Sequence, residues 1–119
     1  MERFRFTEDV AFTPGEDALD GVTIAPLTIP LAAGAPAQAA IFRLAPNGRI
    51  RRHPALVAQI LAVLAGSGSV SGGDGVVEPI AAGEAVFWAQ GEHHETTSAA
   101  GMTALVLEAE GLERFRPSG

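Results

Sequence analysis

Glycine and proline interrupt this chain at short intervals, and that spacing restricts it to short elements of secondary structure. The 119 residues include 14 glycines and 8 prolines. Between these positions lie short runs rich in Val, Ile, Leu, Phe and Thr, a pattern typical of many short strands closed by turns. The sequence therefore predicts an all-β chain.

Seven segments have the composition expected of strands: residues 22–31, 38–44, 56–64, 68–70, 85–88, 94–98 and 102–109. Residues 71–75, Ser-Gly-Gly-Asp-Gly, are predicted to connect two strands tightly, because Gly and Asp accept positive φ angles. Residues 55–65 are also a helix candidate, since their alanines favour helix. They lack the polar face of an amphipathic helix, and we interpret them as a strand that is buried on both faces.

The two ends of the chain have similar compositions. Arginine alternates with phenylalanine in residues 3–6 and again in residues 114–116. This alternation suits an edge strand that turns its Phe side chains inward and its Arg side chains to solvent.

Composition limits the classes of partner. A chain of 119 residues forms one domain. Its formal charge of −6, with only 8 Lys and Arg residues, repels phosphate backbones, so we expect no nucleic-acid partner. Cysteine is absent, which excludes disulfides and thiolate zinc sites.

The compartment is also constrained by the sequence. Residues 1–9 contain early acids and no apolar run, unlike a signal peptide. The apolar stretch 22–42 contains three prolines and a glycine, which rule out a continuous membrane helix. We therefore expect a cytoplasmic protein with no membrane partner.

Histidine is the side chain most suited to binding a transition metal or titrating near neutral pH. His53 lies beside one strand-like segment, and His93 and His94 begin another. In a regular strand that starts at Arg49, alternate residues including His53 and Gln59 would share one face. By the same alternation, only one of the two adjacent histidines can point inward.

These segments resemble the two motifs of the cupins, a family of small β-barrels. The first motif matches at Gly48, His53, Ala55, Gln59 and Gly66, with alanine replacing the second histidine and glutamine replacing the acid. The interval from Gly48 to His53 is also one residue shorter than in the family.

The second motif matches more closely, at Gly83, residues 89–91, His94 and Ser98. Alanine replaces the proline of this motif, and serine replaces its asparagine. The resemblance covers about residues 38–109 and implies a single-domain cupin-type β-barrel, also called a double-stranded β-helix or jelly roll. Residues 1–37 would supply N-terminal strands, and residues 110–119 a C-terminal tail.

A typical cupin of this kind holds Fe, Mn, Ni or Zn with three histidines and one glutamate. The resemblance implies that His53, Gln59 and His94 would hold one such divalent metal here. Two imidazoles and a neutral amide leave the metal charge uncompensated, which weakens binding. Water would have to complete the coordination, or His93 or Glu95 would have to turn inward at a β-bulge.

A ligand pocket is expected around these positions. Its predicted lining comprises Arg51, Ala55, Trp88, His93 and Thr96. Within this set, Arg51 would neutralise an anionic ligand, and Trp88 would form either a pocket wall or ordinary core.

Three functions remain open at this point. The resemblance favours a small-molecule-binding protein with a degenerate metal site. The alternatives are a metal-dependent dioxygenase or isomerase acting on a small organic substrate, and a non-catalytic structural or regulatory homodimer. In each case the chain is expected to form a homodimer through sheet edges, helped by its Phe-bearing ends.

Overall fold

A computed structural model describes residues 1–15 and 20–117. Within these residues the chain forms eight strands and one 3₁₀ turn at Glu8–Val10. The strands are β1 (Glu2–Arg5), β2 (Ala37–Leu44), β3 (Gly48–Pro54), β4 (Gln59–Ser71), β5 (Val77–Ala81), β6 (Glu84–Trp88), β7 (His93–Ser98) and β8 (Met102–Ala109). The prediction of an all-β chain is confirmed. No helix in the described ranges is long and apolar enough to span a membrane.

The strands form two antiparallel layers that share the long strand β4. In the first layer the order is β1–β6–β4–β8–β2, and in the second it is β3–β7–β4–β5. Strand β4 passes from one layer to the other where its register against β8 shifts, between Val63 and Ala65. Gly66 follows with a φ of +81°, and a Cβ there would lie 2.3 Å from the carbonyl oxygen of Gly101. The crossing therefore requires glycine.

The space between the two layers is filled by apolar side chains. They are Leu61, Val63, Val70, Ile80, Val86, Trp88, Met102, Ala104 and Val106. A second cluster, which includes Ile60, Ala62 and Ala85, covers the outer face of the first layer, where Phe4, Phe6, Leu27 and Leu31 pack on it. Of residues 55–65, predicted to be buried on both faces, only Ile60–Val63 form a stretch buried on both faces, whereas Leu56 is 88% and Leu64 49% exposed.

Several predicted elements are confirmed. Strands β2, β6, β7 and β8 coincide with predicted segments to within one residue at each end. The segment 71–75 connects β4 to β5, and the Gly75 N–H donates to the Gly72 carbonyl at 3.0 Å. Strand β1 lies at an edge, paired with β6.

Other predicted elements are wrong. Residues 22–31 form no strand and make only isolated bridges, at Ile24 and at Thr28. Pro26 and Pro30 explain this, because proline has no N–H to donate to a ladder. The segments 56–64 and 68–70 belong to one strand, β4, which begins only at Gln59.

The structure adds detail at β5 and at the two ends of the chain. Strand β5 was not predicted, because its five residues include Glu78 and Pro79 and form no apolar run. Only Ile80 is fully buried. Of residues 1–37, only β1 and the first residue of β2 are in strands within the described part. The predicted tail is attached to the barrel, since Leu112 is 3% exposed and the Phe115 N–H donates to the Leu27 carbonyl at 3.0 Å.

Candidate functional site

His53 and His94 come together on adjacent strands. They are directly opposite each other in the β3–β7 ladder, and their ring centroids are 4.4 Å apart with a 54° tilt. His94 is 2% exposed, whereas His53 is open to solvent. The pair therefore lies at one end of the barrel, with His94 beneath His53.

A β-bulge in β3 determines which residues share this face. The register shifts between Ile50 and His53, so one extra residue lies on β3 there. Because of this shift, Arg49 lies opposite Thr97 and forms an ion pair with Glu95 at 2.9 Å, on the face away from His53. The prediction that Arg49 and His53 share one face is therefore wrong.

Trp88 stacks on the inner histidine from the other layer. The ring centroids of Trp88 and His94 are 4.3 Å apart, with an interplanar angle of 28°. Trp88 is fully buried, and its Nε1 is the one buried side-chain polar atom in the described residues that lacks a hydrogen-bond partner. A buried N–H without an acceptor is costly and calls for an explanation, such as a water or a ligand.

Backbone carbonyls orient both imidazoles. The Nδ1 of His53 lies 2.7 Å from the Arg51 carbonyl oxygen, and the Nδ1 of His94 lies 3.1 Å from that of Glu92. Because a carbonyl only accepts, each Nδ1 must carry the hydrogen and donate it. In a neutral ring, Nε2 then has a free lone pair.

Burial keeps the inner histidine neutral. Desolvation lowers the pKa of His94 below its usual value, opposed by the hydrogen bond to the Glu92 carbonyl. The neighbouring His53 ring and Arg52 guanidinium lower this pKa further, while the Glu92 carboxylate raises it. At neutral pH, His94 is therefore an uncharged acceptor at Nε2.

Gln59 lies in the same layer as Trp88, directly opposite it in the β4–β6 ladder. Its amide Nε2 donates to Glu108 Oε1 at 2.5 Å, so Gln59 is anchored to β8. Sequence reasoning missed Glu108. The signal was available, because Met102, Ala104 and Val106 mark the buried face of β8 and Glu108 continues that alternation.

The predicted pocket residues lie in different environments. Thr96 is 1% exposed inside the barrel, between Ile50 and Val70. Ala55 is buried and pairs through its backbone with the turn after β6, since its N–H donates to the Glu92 carbonyl at 3.0 Å. Arg51 contributes the carbonyl that orients His53.

His93 does not belong to the group that comes together. It is exposed and lies opposite Pro54, on the face away from His94, because successive strand residues alternate sides. The His93 side chain therefore lies on the opposite face of β7 from His94. Glu95 also lies on that outer face, bonded to Arg49 and to the Arg52 N–H, so it does not turn inward.

Glu92 stabilises the loops beside the histidines. Its carboxylate accepts hydrogen bonds from the Met1 amino group at 2.7 Å, the Gly73 N–H at 2.9 Å and the Ala89 N–H at 3.0 Å. Burial alone would raise the pKa of Glu92, but these bonds outweigh it and lower that pKa. The carboxylate is therefore structural.

The donors present do not complete a metal centre. His53 and His94 offer two imidazole nitrogens, Ala55 offers none, and the Gln59 amide is bonded to Glu108. Within residues 1–15 and 20–117, no three His, Cys, Asp or Glu side chains are grouped closely enough to hold an ion. Catalytic zinc sites, for comparison, use three protein ligands. The residues do not fit the full cupin metal set.

No protein-family model and no curated protein matches this chain. Solved structures do match. An RmlC-like cupin from Shewanella frigidimarina is 18% identical with a TM-score of 0.57, over 82% of this chain and 88% of that one. A predicted oxalate decarboxylase from Thermotoga maritima is 24% identical with a TM-score of 0.57, over 60% of this chain and 64% of that one.

A polyketide cyclase from Streptomyces resistomycificus is 28% identical with a TM-score of 0.57, over 67% of this chain. The matched region spans 64% of the Thermotoga chain and 57% of the Streptomyces chain. Further matches include a cupin superfamily protein from Desulfitobacterium hafniense. The two-layered antiparallel barrel and these likenesses together show that the chain has the cupin fold, which confirms the resemblance read from its sequence.

Proposed function

We propose that this chain is a cupin-type protein that binds a small organic molecule where His53, His94 and Trp88 meet. The observation that carries the proposal is the Trp88 N–H, which is fully buried beside His94 and has no partner. Leaving such a donor unpaired costs about 1–3 kcal/mol, which an acceptor atom of a bound molecule would recover. Ligand sites commonly combine an apolar wall with a few oriented polar groups of this kind.

The comparisons support this proposal at the level of fold. The Thermotoga protein is described as a predicted oxalate decarboxylase and the Streptomyces protein as a polyketide cyclase. Fold similarity by itself is weak support for a function, because one fold serves many functions, so the residues of this site carry the proposal.

Trp88 is the only tryptophan and the chain has no tyrosine, so its fluorescence reports on the site directly. We would titrate a general library of small organic fragments and follow this emission. Saturable changes are expected, and His53→Ala should weaken them, whereas His93→Ala, on the opposite face, should not. If no fragment changes the emission, or if both variants respond equally, the proposed site is wrong.

A metal-dependent dioxygenase or isomerase is the second candidate. The observation that favours it is that both Nδ1–H groups donate to carbonyls, because histidine ligands of metals are usually oriented in this way. Since only two imidazoles are available, we expect protein purified without an affinity tag to contain far less than one Fe, Mn, Ni or Zn per chain. Near-stoichiometric metal by mass spectrometry, lost in His94→Ala, would instead support the enzyme.

A purely structural role is the third candidate, and the filled barrel interior favours it. Under this reading His53, His94 and Trp88 would only pack. The fluorescence titration distinguishes the two, because a structural barrel would show no saturable response to any fragment.

We also propose a second copy of this chain as a partner, joined through the edge of β2 that pairs with no strand among the described residues. Strand β2 pairs with β8 on one side. Soluble proteins usually place charged side chains on an exposed strand edge to prevent pairing with another chain, but residues 37–42 of β2 carry no charge. In an antiparallel two-fold pairing centred on Ile41, which is 46% exposed, Ile41 would lie opposite Ile41 of the second copy. No two charges of the same sign would lie opposite each other. The Phe-bearing ends are less available, since Phe4 and Phe6 pack within their own chain.

Light scattering tests this interface. We expect a dimer that Ile41→Lys converts to a monomer, while Leu56→Lys, at a loop position 88% exposed, leaves it intact. A monomeric protein, or a dimer that survives Ile41→Lys, would exclude the β2 edge. The cytoplasmic location stays a prediction.

A further inference from the structure

The two segments in which arginine alternates with phenylalanine, residues 3–6 and 114–116, come together in the fold and line one cleft. The cleft encloses about 220 Å³, and its lining includes Arg3, Phe4, Arg5, Val10, Arg114 and Phe115. Neither the paired histidines nor Trp88 lines it, so it is separate from the site proposed above. Within the described ranges no Asp or Glu lines it, although the chain has a formal charge of −6. The cleft therefore gathers three cations in an acidic protein.

Arg114 is fixed in place by its neighbours. Its guanidinium carbon lies 4.9 Å from the centroid of the Phe4 ring, and only 16% of its side chain is exposed. Its Nη1 donates to the Phe115 carbonyl oxygen at 3.1 Å, and its Nε donates to Glu2 Oε1 at 3.4 Å. Two of its five N–H groups are thus engaged, and the other three have no acceptor among the described residues. The guanidinium is therefore oriented in advance and can still bind an acceptor.

Strand β1 adds backbone groups on its side away from β6. The Phe6 N–H donates to the Gly83 carbonyl at 2.8 Å, which fixes the alternation of the β1–β6 ladder. By that alternation Phe4 also bonds to β6, whereas the backbone N–H groups of Arg3 and Arg5 point away from it. Both arginines line the cleft. The lining residues therefore carry backbone N–H groups as well as guanidinium groups for a negatively charged ligand.

The acids that balance these two arginines lie outside the cleft. Arg5 forms an ion pair with Asp9 at 3.0 Å, and Arg3 lies 3.5 Å from Glu78 and 3.7 Å from Glu84. None of these carboxylates lines the cleft, but they neutralise part of its positive charge. A single negative charge therefore complements the cleft better than a double one, which the nearby carboxylates would repel.

We propose that this cleft is a second binding site, for a small monocarboxylate with an apolar body. The two oxygens of a carboxylate match the parallel N–H groups of a guanidinium such as that of Arg114. The apolar body would contact Val10 and Phe115, which gives the combination of apolar wall and oriented polar groups that is common in ligand sites. This proposal does not depend on the site at His53, His94 and Trp88.

The probes that test it are benzoate, its neutral isostere benzamide, and phenyl phosphate, which is mostly doubly charged at pH 7.5. In ¹⁵N–¹H spectra we would follow the backbone amides of Arg3 and Arg5 and the Nε–H of Arg114. Benzoate should shift these resonances saturably. Benzamide should bind about tenfold more weakly, because it loses the charge-assisted hydrogen bonds, and phenyl phosphate should also bind more weakly because of its second charge.

Three variants locate the binding. Arg114→Gln removes the oriented guanidinium and should weaken benzoate binding about tenfold. Arg5→Gln should weaken it about threefold, since this side chain is 58% exposed and its charge is screened. The matched control is Arg49→Gln, because Arg49 is 56% exposed and ion-paired at 2.9 Å but does not line the cleft. It should leave benzoate binding unchanged. If Arg114→Gln does not fold, the comparison of Arg5→Gln with Arg49→Gln decides.

Several outcomes would overturn the proposal. If benzoate shifts none of the three arginine resonances, or if benzamide binds as tightly as benzoate, the cleft does not bind a carboxylate. Tighter binding of phenyl phosphate than of benzoate would exclude the preference for a single charge. If Arg49→Gln weakens binding as much as Arg5→Gln, benzoate responds to the overall charge and not to this cleft. If benzoate shifts only the Trp88 indole N–H, it binds at the histidine site, and the second site is excluded.

Discussion

The Gln59–Glu108 hydrogen bond offers a sharp test of the site, through the substitution Gln59→Glu. This change restores the acid that cupins carry at the matching position of the first motif. In this chain, however, it replaces a 2.5 Å amide–carboxylate hydrogen bond with two carboxylates in contact. The variant should therefore be less stable at neutral pH, although it looks closer to the family pattern.

The size of the loss follows from Coulomb's law and the partial burial of the pair. Two charges about 4 Å apart repel by about 4 kcal/mol at an effective dielectric constant of 20, and by about 1 kcal/mol in bulk water. Both side chains are partly exposed, so the repulsion lies between these limits. Side-chain rotation will relieve part of it, and the lost hydrogen bond adds about 1 kcal/mol. We expect a net loss of about 2 kcal/mol, or a melting temperature lower by roughly 5–10 °C.

Thermal unfolding of wild type and variant at pH 7.5 and pH 5 is the assay. The difference in melting temperature between variant and wild type should be smaller at pH 5, because one carboxylate can then hold a proton and donate it to the other. The matched control is Gln38→Glu, which also faces Glu108 across a strand pair but is exposed and should cost less. If Gln59→Glu has the same melting temperature as wild type at both pH values, the Gln59–Glu108 hydrogen bond does not stabilise this end of the barrel and the prediction is wrong.

Two further predictions concern the buried histidine and the corner of β4. Because burial lowers the pKa of His94 in the folded state, its contribution to stability is complete above the unfolded pKa of about 6.5 and is lost as pH falls towards the folded value. In urea unfolding, the free energy of unfolding of wild type and of His93→Ala should therefore fall between pH 7.5 and pH 5, and that of His94→Phe should fall less. An equal dependence on pH in all three proteins would show that His94 is not the group responsible. Gly66→Ala should cost more than about 2 kcal/mol, since its Cβ would meet the Gly101 carbonyl oxygen at 2.3 Å. The control is Gly75→Ala, at a φ of +74° but with no atom within 4 Å of the added Cβ, which should cost only about 1 kcal/mol by the same chemical denaturation. If Gly66→Ala costs no more than this, the Gly101 carbonyl does not restrict residue 66 at the point where β4 changes layers.

The fold was largely readable from the sequence because its signals are local. Short apolar runs between glycines and prolines marked β2, β6 and β8, the threonines of residues 94–98 marked β7, and turn residues marked the β4–β5 connection. The failures have equally local causes. The segment 22–31 contains apolar residues of strand type, but its prolines prevent regular pairing.

The site was readable only in part. Alternation showed that one of the two adjacent histidines must point inward, but which one depends on the pairing partner across the ladder. The bulge before His53 could not be read, because an inserted residue leaves no mark in hydrophobic periodicity when its neighbours are arginines. That bulge separates Arg49 from the site and places His53 opposite His94.

The sequence by itself determined that this chain is an all-β barrel of cupin type, with a ligand set lacking one histidine and the glutamate. Strand and turn propensities, and the identities of residues 55 and 59, are properties of the chain alone. Only the tertiary structure decided that Trp88 stacks on His94, that its N–H lacks a partner, and that Gln59 is anchored to Glu108. These contacts join residues on different strands, so they depend on register and on the packing of two layers, which no single segment encodes.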